Sequence, residues 1–146
     1  MAAYRAYEVF IGIVNMSIHE TIFKKLDKLG VVDLLKNNIG DSKSRSKPFM
    51  DLSFDCLSLN ESVAQIALAH NYIQNGDVCA DPDMEIRLNL KTGEAEALSF
   101  QQAMPPIYDV VYPEPGMVNP KLKKSLNSFL SSWLGNCIEQ GHKFTH

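Results

Sequence analysis

No stretch of this chain stays apolar for long. The longest run, Val9 to Met16, is broken by Gly12 and Asn15 and falls well short of the ~20 residues that a bilayer-spanning helix needs. A secretory leader is disfavoured, because Glu8 directly precedes that run and no small-x-small cleavage site follows. Basic charge is also scarce. Lys and Arg number 14 against 17 Asp and Glu, for a formal net charge of −3, whereas binding to a phosphate backbone needs a basic face. The local basic clusters (Lys43, Arg45, Lys47; Lys121, Lys123, Lys124) are short and read as a solvated loop and a helix start. Three cysteines, Cys56, Cys79 and Cys137, are odd in number and widely spaced. That usage fits reduced thiols in a cytoplasmic protein better than a disulfide framework or a zinc site. The chain contains no P-loop, GxGxxG, GxSxG or HExxH motif, so common cofactor-enzyme classes are disfavoured and no cofactor is expected.

What remains is an ordinary globular composition, 45% apolar over 146 residues. That is one domain, 1–146, large enough to bury about two-thirds of its unfolded surface. Residues 1–16 are ambiguous: Tyr4, Tyr7, Ile11 and Val14 fall at helical spacing, yet Val9 to Val14 also suits a buried strand, and helix is the weakly preferred reading. Ser17-Ile-His-Glu20 is a capping box that opens a helical region over 17–36. Its first helix carries Ile18, Ile22, Phe23, Leu26 and Leu29 on one face and is stopped by Gly30; a shorter turn over Val31 to Lys36 follows. Asn37 to Pro48 reads as an exposed loop.

The period then changes to two over a sheet region, 49–112. Met50, Leu52, Phe54 and Cys56 alternate with polar residues, and Met84, Ile86, Leu88 and Leu90 do the same. Between them, Ile66, Leu68, His70 and Tyr72 share one side. Ala67, Ala69 and Asn71 share the other, where small residues suggest a close-packed partner such as a helix. Lys91-Thr-Gly93 supplies a hairpin turn, and Ile107 to Tyr112, flanked by prolines, suits an edge segment. Asn119-Pro120 starts a closing helix over 119–141, with Leu122, Leu126, Phe129, Leu130, Trp133, Cys137 and Ile138 as its stripe and Gly141 as its stop. The expected fold is α+β: N-terminal helices, an antiparallel meander of about four strands, and a C-terminal helix packed on the sheet.

The stretch His70 to Glu85 concentrates chemistry: His70, Gln74, Asn75, Asp77, Asp81, Asp83 and Glu85 lie between two apolar runs. Turn chemistry accounts for Asn75-Gly76 and Asp81-Pro82, and it ranks ahead of a ligand- or partner-binding turn, with catalysis last. If a metal binds, His70, Asp77, Asp81 and Asp83 are its candidate ligands, and the turn would have to fold back for them to meet. Cys79 beside His70 meets the minimum for a Cys-His pair, with no sign of an activated thiol. His142 and His146 sit in a tail expected to fray. Tyr108, Tyr112 and Trp133 are candidates for a groove that takes a peptide or small molecule; Trp133 as a core anchor is the preferred alternative.

The string Ile66-Ala-Leu-Ala-His70, Gln74-Asn-Gly-Asp77, Asp81-Pro-Asp-Met-Glu85 resembles the signature of an uncharacterised bacterial family. Its members are often carried on plasmids, phages and integrative elements. The likeness continues through Ile107-Tyr108, Val111-Tyr112 and the closing helix, covering about residues 50–143. A more distant similarity links Pro82-x-Met84, Arg87-Leu88 and Phe129-Leu130-x-x-Trp133-Leu134-x-x-Cys137 to a second uncharacterised proteobacterial family. Neither resemblance implies an activity. Together these readings point to a small cytoplasmic interaction protein, an accessory of mobile elements, that binds a protein partner or pairs as a homodimer along Ile107 to Tyr112. A small-molecule ligand is a further candidate. The alternative is a metal-dependent hydrolase-like enzyme built on the His70–Glu85 turn.

Overall fold

Two helix starts are set by side chains that accept otherwise orphaned amides. In the computed structural model, which describes residues 16–103 and 105–146, Ser17 Oγ accepts from the Glu20 amide at 3.1 Å and Asn119 Oδ1 from the Leu122 amide at 3.1 Å. They open helix α1 (Ile18–Lys28) and helix α3 (Pro120–Glu139). Gly30, at φ 95°, separates α1 from α2 (Val31–Lys36). A Cβ there would collide with the Phe144 carbonyl oxygen, so glycine is required both for the turn and for the close approach of the C-terminal tail. The weak helical reading for residues 4–16 falls almost wholly outside the described residues.

Among the described residues six strands form one sheet in simple sequence order, every neighbour antiparallel: β1 (Asp41–Ser44), β2 (Asp51–Asn60), β3 (Val63–Gln74), β4 (Asp77–Asn89), β5 (Glu94–Gln102) and β6 (Ile107–Val110). The fold class is as expected, with two strands more than the four anticipated. The extra edge strand β1 lies inside the segment read as an exposed loop. Its sequence, Asp-Ser-Lys-Ser, has no apolar alternation, and it is a strand because β2 offers it a ladder from Asp41↔Asp55 to Ser44↔Leu52. Asn75 and Gly76, at φ 54° and 82°, make the two-residue β3–β4 turn that the Asn-Gly pair predicts.

The alternation holds in the middle of each strand and fails at the ends: Met50 is 42% exposed, and Cys56, Tyr72 and Leu90 are half-buried. Leu52, Phe54, Ala64, Ile66, Leu68, Met84, Ile86, Leu88, Ala95 and Ala97 are all buried and form the core with Ile22, Leu26, Leu130, Trp133 and Leu134. Helices α1 and α3 pack on each other and on β5. Helix α3 packs on the His70 side of β3 through Trp133 and Cys137, and on the small-residue side Ala69 is buried at 7% exposure. Phe129 also departs from the buried stripe, remaining 41% exposed on its outer side while meeting Phe100 edge-on at 5.4 Å.

The C-terminal tail is held rather than frayed. The Phe144 amide donates to the Leu29 carbonyl at 2.8 Å, and the Phe144 ring is buried against Phe54. Beyond it, His146 Nε2 lies 2.8 Å from the Asp33 carboxylate.

Candidate functional site

The His70–Glu85 stretch extends into an arm. β3 pairs with β4 from Val63↔Asn89 to Ala69↔Asp83, skips over His70, and resumes from Asn71↔Ala80 to Gln74↔Asp77. Two residues, Asp81 and Pro82, therefore stand opposite His70 in a bulge, with a cis Asp81–Pro82 peptide bond. β2 reaches only as far as Asn71 and β5 only as far as Asp83. Beyond those points the hairpin is a two-stranded arm with Asn75, Gly76 and exposed Asp77 at its tip. Ile73, 76% exposed, is on its flank, and Tyr72 stands opposite Cys79.

This geometry separates the proposed ligands. Asp83 and Glu85 stand across from Ala69 and Ala67, on the face opposite His70. Asp55, paired with Ala67 from the other side, joins them there. Burial, then Glu85 and Asp55, push the Asp83 carboxyl above its ordinary range. His70 points the opposite way, into the helix layer. The sheet lies between imidazole and carboxylates, so His70 and Asp83 cannot share an ion. Asp77 is carried away to the arm tip because the ladder continues straight where convergence needed a fold-back. Among the described residues no group of three His, Cys, Asp or Glu side chains is placed to hold a metal.

His70 instead anchors a buried polar cluster assembled from three distant parts of the chain. Trp133 Nε1 donates to His70 Nδ1 at 3.1 Å, with the rings edge to face at 5.3 Å. Because Nδ1 accepts, the neutral ring carries its proton on Nε2, which lies 3.5 Å from Cys137 Sγ. Burial, helped by His142, lowers His70 to about 4; burial pushes the Cys137 thiol up to about 12. Both groups are therefore uncharged at neutral pH, the reverse of an activated thiolate–imidazolium pair. Cys79, the thiol suggested by sequence proximity, belongs to the arm and to Tyr72.

His142 completes the cluster, its ring centroid 5.9 Å from that of His70. Its Nε2 is 3.0 Å from the Met50 carbonyl oxygen, which can only accept, so Nε2 holds the proton and Nδ1 accepts from Ser44 Oγ at 2.8 Å. Ser44 Oγ in turn accepts from the Lys143 amide at 3.0 Å. The relay fixes each proton and ties the tail to β1. Ser44 and His142 are each 4% exposed, so this serine–imidazole pair is closed off from solvent. Sequence reading missed Trp133, Cys137 and His142 as neighbours of His70, and Ser44 as the partner of His142. The one available signal was His142 directly after the helix-stopping Gly141.

The aromatic trio also disperses. Trp133 is core. Tyr108 is 64% exposed on β6. Tyr112 donates its hydroxyl to Glu96 at 2.8 Å and lies beneath Arg87 and Lys123, 5.5 and 5.8 Å from its ring centroid. Glu96 also pairs with Arg87 and, at 3.8 Å, with Lys123. Burial works to raise Glu96, but the Tyr112 hydroxyl, Arg87 and Lys123 outweigh it and hold the carboxyl below its usual range. This is a surface clamp joining β4, β5, the segment after β6 and α3.

With the fold and these groups in place, the comparisons agree with an uncharacterised domain. Residues 20–143 match the family described as Domain of unknown function (DUF6908). No curated protein and no solved structure matches the chain.

Proposed function

The chain belongs to that family of unknown function, and we propose that it works by binding rather than by catalysis, pairing with a second copy of itself along β6. One observation carries this reading: the outer side of Ile107–Val110 is unpaired among the described residues, and its one charge, the half-buried Asp109, leaves Ile107 and Tyr108 as its exposed side chains. β1, the opposite edge, exposes Asp41 and Lys43, the usual protection against edge pairing. β6 presents Ile107 at 38% and Tyr108 at 64% exposure. The Val111 amide donates inward to the Leu98 carbonyl. Alternation then turns the Tyr108 and Val110 backbone groups outward, where an antiparallel copy of the same strand can take them.

Prolines 105, 106 and 113 confine the pairing to four residues. So short an edge buries less than the ~1,200–2,000 Å² typical of stable complexes, and the dimer is expected to be concentration-dependent. The resemblance to a family carried on mobile elements supports an accessory role in the cytoplasm.

Sedimentation equilibrium over a wide concentration range tests this. Tyr108→Pro deletes one outward amide and the exposed ring while leaving the β5 ladder intact, so it should give a monomer with an unchanged melting temperature. A wild-type chain that stays monomeric at the highest concentration, or a dimer that persists in Tyr108→Pro, refutes β6 pairing.

A further inference from the structure

Away from β6, the N-terminal ends of α1 and α3 leave a cleft of about 560 Å³ lined by Ile18, His19, Val118, Pro120, Lys123 and Lys124. His19 also lines an adjoining cleft of about 330 Å³ beside Arg87 and Glu96. The volumes lie within the ~300–1,000 Å³ of small-molecule sites. From these features we infer a binding site for a small amphipathic carboxylate, with its alkyl or aryl body on Ile18, Val118 and Pro120 and its anionic head at Lys124 and Lys123.

Three features converge on that chemistry. The floor is apolar yet open: Ile18 and Val118 are 40% and 47% exposed, and the lysine stems extend the apolar wall. The cationic rim is unbalanced. Lys123 shares Glu96 with Arg87, whereas Lys124 makes no ion pair among the described residues, and none of the described residues lining the larger cleft is a carboxylate. The positive end of the 20-residue helix α3 adds to the same field.

The polar groups are also preset. Asn127 Oδ1 accepts from the Ala97 amide at 2.8 Å and Asn127 Nδ2 donates to the Lys123 carbonyl at 2.8 Å, which pins this part of α3 to β5. His19 Nδ1 lies 3.2 Å from the Ala95 carbonyl oxygen; that oxygen only accepts, so the ring is anchored as a donor between the two clefts.

Octanoate is the probe, titrated into the full ¹⁵N-labelled chain and followed by amide shifts. Octylammonium, 1-octanol and inorganic phosphate serve as comparators. Saturable shifts at His19, Val118 and Lys124 are expected with octanoate. Octylammonium should give none, octanol weaker ones, and phosphate none at these amides. Lys124→Glu should weaken octanoate by about fivefold or more. Lys121→Glu makes the same charge change on the same helical turn outside the cleft lining, and should leave binding within a factor of about two. The site is overturned if octanoate shifts none of the lining residues or if octylammonium binds as well. Equal binding of phosphate would reduce it to a bare anion contact, and equal loss in Lys121→Glu to a nonspecific field; either result also overturns it.

Discussion

Mild acid should destabilise this domain through its buried imidazoles before most carboxylates titrate. His70 is held at about 4 in the folded chain against 6.5 when unfolded. A histidine whose folded value is depressed contributes its full stability above the unfolded value and loses it as pH falls toward the folded one. The window is therefore pH 6.5 down to 4. Linkage gives a loss of about 2 kcal/mol at pH 5 relative to pH 7, approaching about 3 kcal/mol at pH 4, from His70 alone. His142 moves the same way, since burial lowers it despite the Met50 carbonyl and Asp51. Glu96, depressed when folded, loses stability only within the ordinary carboxylate range, and Asp83, raised when folded, has the opposite sign. Urea midpoints followed by far-ultraviolet circular dichroism at pH 7 and pH 5 read this difference directly. His70→Asn keeps an acceptor for the Trp133 indole and removes the titration, so its stability should vary with pH much less than that of the parent chain. Stability at pH 5 within about 0.5 kcal/mol of that at pH 7 would refute the argument, as would an undiminished slope in His70→Asn.

Other substitutions separate the elements of the fold. Asn127→Ala strands the Ala97 amide in the core and should cost about 1–3 kcal/mol in urea unfolding. Gly30→Ala combines a left-handed φ with a collision against the tail and should lower stability by at least about 1 kcal/mol, with the Phe144 amide losing hydrogen-exchange protection. Asp83→Asn removes a carboxylate crowded by burial, Glu85 and Asp55, and should raise the urea midpoint at pH 7 but not at pH 3. Ile73→Ser, on the exposed arm, should leave the midpoint unchanged within about 0.5 kcal/mol.

Local chemistry made much of this architecture legible. Ser17 and Asn119 announce their helices because caps act within three residues, and Asn75-Gly76 and Gly93 announce turns because positive φ is a property of the residue itself. Leu52/Phe54 and Met84/Ile86/Leu88 declare a buried face because strand alternation needs no knowledge of the partner. β1 was not legible, since Asp-Ser-Lys-Ser becomes a strand only when β2 presents a ladder. Nor could the arm be read from its ligand-rich sequence. His70 and Asp83 look adjacent along the chain, but pairing register sets them on opposite faces of the sheet. The buried cluster of His70, Trp133, Cys137, His142 and Ser44 has members up to 98 residues apart along the chain. Apart from β1, local sequence determined which segments become helix, strand or turn and which side of the long strands is buried; tertiary structure alone decided which side chains meet, because contacts across the sheet and between layers depend on register and on where the tail is tied.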